Sequence, residues 1–405
     1  MNILWLSHFL PYPPKGGPYQ RSYNLLREVS RHNDVYLLAL QHKKFTHPES
    51  ELENAKSELG ALCREVHVVD ISSRTENWSM YQTALKTLVS VYPFNVEIFR
   101  SVRYEKRLKE MMSRVGFDVV HYDTIGLAYY CKDTGITPKV LTHHDIESFR
   151  IRRRINNERN PLRKAYLLLE TMKLEKYERQ NCRLFNTNLV VSDLDGNRLK
   201  IISNESQIDI VENGVDTEYF EPCYDMNRQN TLIFAGRLDQ FANRDGMIYF
   251  CTKVWPKLKE KNQKLNFVII GSNPPDQLIE ISKHDVNFQL LGYVDDVRPY
   301  FAQATACVCP IRTGGGTRIK ILDALAMGMP IISTTIGCEG INVTPEKDII
   351  IANEPEEFIQ QTVRILNDPA LRGDLSKNAR KNAVDVYSWK VIGRKLNNIY
   401  SSIKN

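Results

Sequence analysis

At 405 residues, 42% hydrophobic and 25% charged, the chain has the composition of a globular protein with room for two or three domains, each with its own core. A net charge of +6 suits anionic substrates or an anionic membrane surface and is too small to argue for nucleic acid. The eight cysteines form no CxxC and no Cys/His cluster at zinc spacing, which argues for reduced thiols over a metal or disulfide framework.

Met1 runs directly into the strand-like NILWLS, so no secretory leader is expected. No apolar run approaches the roughly 18 residues of a bilayer span, and a cytoplasmic location is the expectation. The first strand, Ile3 to Ser7, is followed by the proline-rich loop HFLPYPPKGGPYQ and a helical pattern from Arg21 to Arg31. The Gly16-Gly17 pair between them is a place where backbone can approach a phosphate or sugar, although it is not the GxGxxG of a dinucleotide site. Strand and helix patterns then alternate through Val35 to Ala39, Ser50 to Leu62, Glu65 to Val69, helices to about Val115, and the strand Asp118 to His121. Such alternation predicts parallel strands with helices on both faces. The strand KVLT from Lys139 leads into His143-His144-Asp145, at the carboxyl end where ligands of such sheets gather.

The stretch from Arg150 to Arg183 reads as two helical segments divided at Pro161. Its start, FRIRRRINNERNPLRK, is first a solvated basic face; Phe149, Ile151, Ile155 and Leu162 within it also leave contact with anionic lipid headgroups open. After NLVVS, Asp193 and Asp195 form a DxD, but Ser192 or Asp193 more naturally caps the next helix than binds a metal. A turn at Asn213-Gly214 and a polar stretch from Glu221 to Asn230 suggest a linker.

The second half restarts the alternation. The strand TLIFAG ends at Gly236-Arg237, a helix covers Asp245 to Lys259, and the strands NFVIIG and FQLLGYV precede a helix at Pro299 to Ala304. Then comes Ala306 to Cys309 as a strand, the glycines Gly314, Gly315 and Gly316, and a helix from Thr317 as N-cap to Gly328. A glycine loop that opens a helix exposes N–H donors at its positive end, which suits phosphate. Arg318 and Lys320 add cations that oppose the helix dipole by about 0.3 to 1 kcal/mol each, so they imply an offsetting anion. Asp323, one turn deeper, is placed to accept hydroxyls of a ribose; the plainer reading is a basic helix start after a flexible loop. Helices at Pro355 to Asn367 and Pro369 to Lys381 follow, and Trp389, Ile392, Leu396 and Ile399 mark an amphipathic last helix.

VENGVDTEYF at 211 to 220, FAGRLD at 234 to 239, LGYVDDVRPYFAQA at 291 to 304 and GGGTRIKILDALAMGMPIISTTIGCEGI at 314 to 341 together resemble glycosyltransferase family 4. GGPYQRSYNLL and LTHHDIESFR resemble its N-terminal half, so the likeness covers nearly the whole chain. It implies an α/β GT-B fold, two Rossmann-like doubly wound domains facing a central cleft. The acceptor-side domain is expected over residues 1–221 with a C-terminal helix from about 386 to 405, and the donor domain over 222–385. It further implies a retaining enzyme that moves a sugar from a nucleotide-sugar donor to a hydroxyl, without metal or other cofactor. The acceptor would be a glycan or lipid-linked glycan.

By position, Arg237 would bind the donor diphosphate, Gly314, Gly315, Gly316 and Thr317 would cradle it, and Asp323 would hold the ribose. His144 would stand near the transferred sugar, with His143 its competitor, and Gly16 and Gly17 would meet the donor. Two departures are visible. Gly315 stands where many members have the first of two glutamates eight positions apart, and Asp323 replaces the second. The lysine usual after the Gly-Arg pair is absent from RLDQFANRDG, and Arg318 and Lys320 are inferred to supply its charge. A nucleotide-sugar epimerase of the same fold and a non-catalytic nucleotide-sugar-binding protein are the alternatives.

Overall fold

The computed structural model describes residues 1–14, 16–41, 49–71, 77–222, 230–314 and 316–404. Gly315, Cys223 and most of the expected linker lie outside them. The chain divides into two compact units, Met1–Glu212 with Ile392–Asn405, and Asn213–Val391. These divisions fall nine residues before and six after the junctions at 221/222 and 385/386. The backbone explains where they lie, because Val215 N–H donates to Tyr387 O and Trp389 N–H to Val215 O.

In the first unit the strands are β1 (Asn2–Ser7), β2 (Asp34–Gln41), β3 (Glu65–Asp70), β4 (Val119–Tyr122), β5 (Lys139–Thr142), β6 (Thr187–Val190) and β7 (Ile208–Ile210). They form a parallel sheet in the order β3-β2-β1-β4-β5-β6-β7. In the second, β8 (Thr231–Ala235), β9 (Asn266–Ile270), β10 (Phe288–Gly292), β11 (Ala306–Cys309), β12 (Ile331–Ser333) and β13 (Ile350–Ile351) are ordered β10-β9-β8-β11-β12-β13, again parallel. Both sheets change direction of growth once, between β1 and β4 and between β8 and β11. There the connections leave toward opposite sides, and a crevice opens at the carboxyl ends.

The strands are apolar because helices cover both faces. Alternate residues of β8, β11 and β12 enter different cores: Ile233, Cys307, Cys309 and Ile331 pack with helix Ile319–Ala326, while Leu232, Phe234, Ala306, Val308 and Ile332 pack with Phe250, Trp255 and Phe358. The cysteines Cys63, Cys182, Cys251, Cys307, Cys309 and Cys338 are buried free thiols, and Cys131 is half-buried. Among the described residues no helix is long and apolar enough to cross a membrane.

Several elements differ from the sequence reading. Helix Asp276–His284 and the 3-10 segment Ile125–Asp133 were not expected, the former because one buried leucine, Leu278, gives too little periodicity. The helix expected at Asp245 to Lys259 is three pieces, Phe241–Tyr249, a π turn Phe250–Val254, and Trp255–Lys261. Pro256, in the first turn of the last piece, has no N–H to continue an α-helical ladder.

The last helix, Trp389–Lys404, buries Trp389, Ile392, Leu396 and Tyr400, with Ile399 only half-buried. From Ile392 onward it belongs to the first unit. Gly393 is required there, since a Cβ would stand 2.3 Å from Glu28 Cβ. Tyr400 OH lies 2.6 Å from His121 Nδ1, and His121 Nε2 lies 3.0 Å from Thr142 Oγ1. Burial holds His121 down at about 3, so it is neutral and needs a partner at each ring nitrogen. Tyr400→Phe is expected to orphan Nδ1 and cost about 1 to 3 kcal/mol of stability, measured by urea unfolding.

Candidate active site

In the second unit, Arg237 follows β8 and is exposed, with its guanidinium on Asp239 at 2.6 and 3.1 Å. A surface pair of this kind contributes little and exchanges readily for a stronger anion. Behind it, Asn243 joins two expected site residues: its Nδ2 donates to Arg237 O at 2.7 Å, and its Oδ1 accepts from Lys320 Nζ at 2.7 Å. Lys320 Nζ also lies 4.2 Å from the Phe234 ring centroid and stands beside Gly236, where a Cβ would come within 2.3 Å of it. Burial, partly offset by Cys309 and Cys307, lowers Lys320 to about 8. Lys320 is thus a half-enclosed cation at the carboxyl end of β8.

On the neighbouring β11, Gly314 and Gly316 have φ of 98° and 78°, a left-handed backbone that a side chain would strain. The loop leads into helix Ile319–Ala326, and here the expected N-cap is corrected: Arg318, not Thr317, holds that position, with no side-chain cap. Arg318 has an extended backbone, and its side chain folds back, Nη2 donating to Thr313 O at 3.3 Å. The helix closes at Met327, with Gly328 left-handed beyond it. Three enclosed oxygens surround this helix mouth without a hydrogen bond: Thr313 Oγ1, Thr317 Oγ1 and Asp323 Oδ1. Leaving such groups unpaired costs about 1 to 3 kcal/mol each, which favours a polar occupant.

In the first unit, β1, β4 and β5 bring together a second cluster. His144, just past β5, places Nε2 3.3 Å from Asp123 Oδ1. Asp123 follows β4, is fully buried, and accepts from Ser22 Oγ at 2.7 Å and Ser7 Oγ at 3.4 Å. Burial would raise its carboxyl, but His144, His8 and His121 together hold it below the usual value. His8 is lowered to about 3 by burial, opposed by Asp123. His143 turns the other way, buried against Asn188 Oδ1 at 3.2 Å, and burial lowers it to about 4. Gly16 caps helix Gly17–Ser30 with φ 98°, and Gly17 is its first residue. Asp123 was missed in the sequence, although it ends the strand-like DVVHYD at a carboxyl terminus. Asp193 starts helix Asp193–Ile202, which Ser192 caps, and Asp195 is taken up by Ser192 and Arg198.

The family models now have a structure to fit. One for Glycosyltransferase Family 4 matches residues 16–219, half the chain, and one for Glycosyl transferases group 1 matches residues 229–368. The chain belongs to glycosyltransferase family 4 and is a glycosyltransferase of the GT-B type. An uncharacterized 44.6 kDa protein in the cps region of Klebsiella pneumoniae is 22% identical over 402 residues, 96% of this chain and 97% of its own length. The capsular polysaccharide biosynthesis glycosyltransferase CapM of Staphylococcus aureus is 22% identical over 58% of this chain and 68% of its own. The crystal structure of HepE from Anabaena with UDP shares the fold, with a TM-score of 0.67, 13% identity, and coverage of 99% of this chain and 100% of that one.

Asp323 supplies a test of the helix mouth. Burial, opposed by Lys320, raises its carboxyl from 3.8 to about 7. Between those values the folded protein keeps a proton that the unfolded chain has lost, so this group makes stability fall as pH rises. Asp323→Asn is expected to flatten that fall in urea unfolding measured across the same pH range; an unchanged slope would place the titration elsewhere.

Proposed function

We propose that the protein transfers a sugar from a nucleotide-sugar donor to a hydroxyl of a glycan or lipid-linked glycan in surface polysaccharide synthesis, with retention and without metal. The observation that carries the donor reading is the helix mouth at the β8/β11 crevice. Glycines, oxygens without a hydrogen bond and the cations Arg318, Lys320 and Arg237 belong to it. Gly314, Gly316, Thr317 and Arg318 would hold the diphosphate, with Gly315 between them, and Asp323 would accept from the ribose. As the glycosidic bond breaks, negative charge grows on the leaving diphosphate. Preorganised arginine and backbone donors stabilise it more than they stabilise the bound donor, which is the requirement for catalysis. His144, backed by Asp123, is the proposed group that orients or takes a proton from a hydroxyl, and Gly16 and Gly17 offer backbone donors. Retention follows from the family resemblance. The cps-region and CapM relatives support a polysaccharide acceptor, and UDP in the HepE structure supports a nucleotide donor.

The experiment is a thermal-shift screen of UDP- and GDP-sugars, in which a donor at a hundred times its Kd should add about 2.7 kcal/mol of apparent stability. Arg318→Ala should weaken the selected donor by about tenfold or more, as loss of a charged hydrogen bond requires. Unchanged affinity would remove Arg318 from the grip. With the selected donor, transfer should survive EDTA and NMR should show the donor's anomeric configuration in the product. Inactivation by EDTA or an inverted product would overturn the corresponding part of the reading.

A further inference from the structure

We propose that the first unit docks onto an anionic lipid surface through helices Asn77–Val89 and Pro161–Asn181. The two helices are neighbours, joined by Thr87 Oγ1 to Tyr166 OH at 3.0 Å and by Lys173 Nζ to Ser90 O at 2.8 Å. Each carries large apolar side chains in solvent: Leu85, Leu88 and Val89 on one, Leu162, Leu168 and Met172 on the other, with Val89 88% and Leu162 81% exposed. The spacings 85/88/89 and 168/172 are helical, so Leu85, Leu88 and Val89 lie along one strip and Leu168 and Met172 along another, with Leu162 in the first turn of its helix. Burial of such strips is what drives a soluble domain onto a surface.

Charge identifies the surface. From Glu147 to Asn181 there are ten Lys and Arg against five Glu, a net of +5 in a chain whose total is +6. Arg150, Arg152 and Arg153 are paired with Glu147, Glu175 and Asp145. Among the described residues Arg154, Arg159, Arg163 and Lys164 have no ion pair, and the last three flank Leu162. Apolar side chains bordered by uncommitted cations match a membrane interface with anionic headgroups. They do not match a second copy of this chain meeting through the same face, since each copy would bring like charge.

Of the apolar residues the sequence offered, Phe149, Ile151, Ile155 and Leu162, only Leu162 belongs to this exposed set. Ile155 is buried and Phe149 packs against the core of the first unit, so neither is available. The other exposed apolar groups come from further along the same stretch, Leu168 and Met172, and from the adjacent helix Asn77–Val89.

Flotation of the full chain with vesicles tests the proposal. It should bind phosphatidylcholine vesicles carrying phosphatidylglycerol, bind pure phosphatidylcholine weakly, and release as salt rises. The double variants Val89→Glu/Leu168→Glu and Arg163→Glu/Lys164→Glu should each bind at least about tenfold more weakly, with thermal midpoints and nucleotide binding unchanged. Failure of the wild type to bind the anionic vesicles, or equal binding by both variants, would overturn it. So would a dimer in light scattering that either variant makes monomeric. Because nucleotide binding is read separately, the outcome is independent of the donor site.

Discussion

A parallel sheet must send each strand's return connection over one of its faces, and where successive connections change face the carboxyl ends are left uncovered. Both sheets of this protein do this once, at β1/β4 and at β8/β11. Nearly every candidate residue stands at one of these two places. Ser7 and Asp123 end the strands at the first, and His144 follows on β5 beside them. Arg237 follows β8 at the second, beside the glycine loop that follows β11. The chemistry is thus located by connectivity before any side chain is considered, and the side chains then give each crevice its sign.

The second crevice is cationic and built in two layers. Arg237 is exposed and paired with its neighbour Asp239, whereas Lys320 is half-enclosed and held by Asn243, which also bonds the Arg237 carbonyl. Enclosed charge is costly unless compensated, and burial lowers Lys320 accordingly. In the proposed donor complex a diphosphate would offset part of that cost. The first crevice has the opposite arrangement, one fully buried carboxylate, Asp123, among three histidines and two serine hydroxyls. Asp123 Oδ2 accepts from the Ser22 hydroxyl at 2.7 Å, and its Oδ1 faces His144.

The alternation of strands and helices was legible because strands covered on both faces are short apolar runs, and the glycine loop was legible because positive φ selects glycine. Local signals also placed the last helix, through Trp389, Ile392 and Leu396. What the sequence concealed were contacts between distant segments. Asn243 and Lys320 are 77 positions apart, and Ser22 and Asp123 are 101 apart, so nothing local marked either pair. The cap at Thr317 was misread because a threonine before a helical run is a usual N-cap, whereas the extended residue before the helix is Arg318, whose side chain reaches back to Thr313 O. The resemblance favoured His144 over its neighbour His143, and the side-chain contacts separate them, His143 on Asn188 and His144 beside Asp123.

The central claim is that the mouth of helix Ile319–Ala326 grips a nucleoside diphosphate. Hydrogen exchange of the full chain with and without UDP or GDP tests it most directly, because it reads the backbone donors themselves. The account predicts slowed exchange confined to peptides covering residues 236–243 and 313–326, including the loop N–H groups after Gly314. Saturating nucleotide that protects other segments and leaves these unchanged would contradict it.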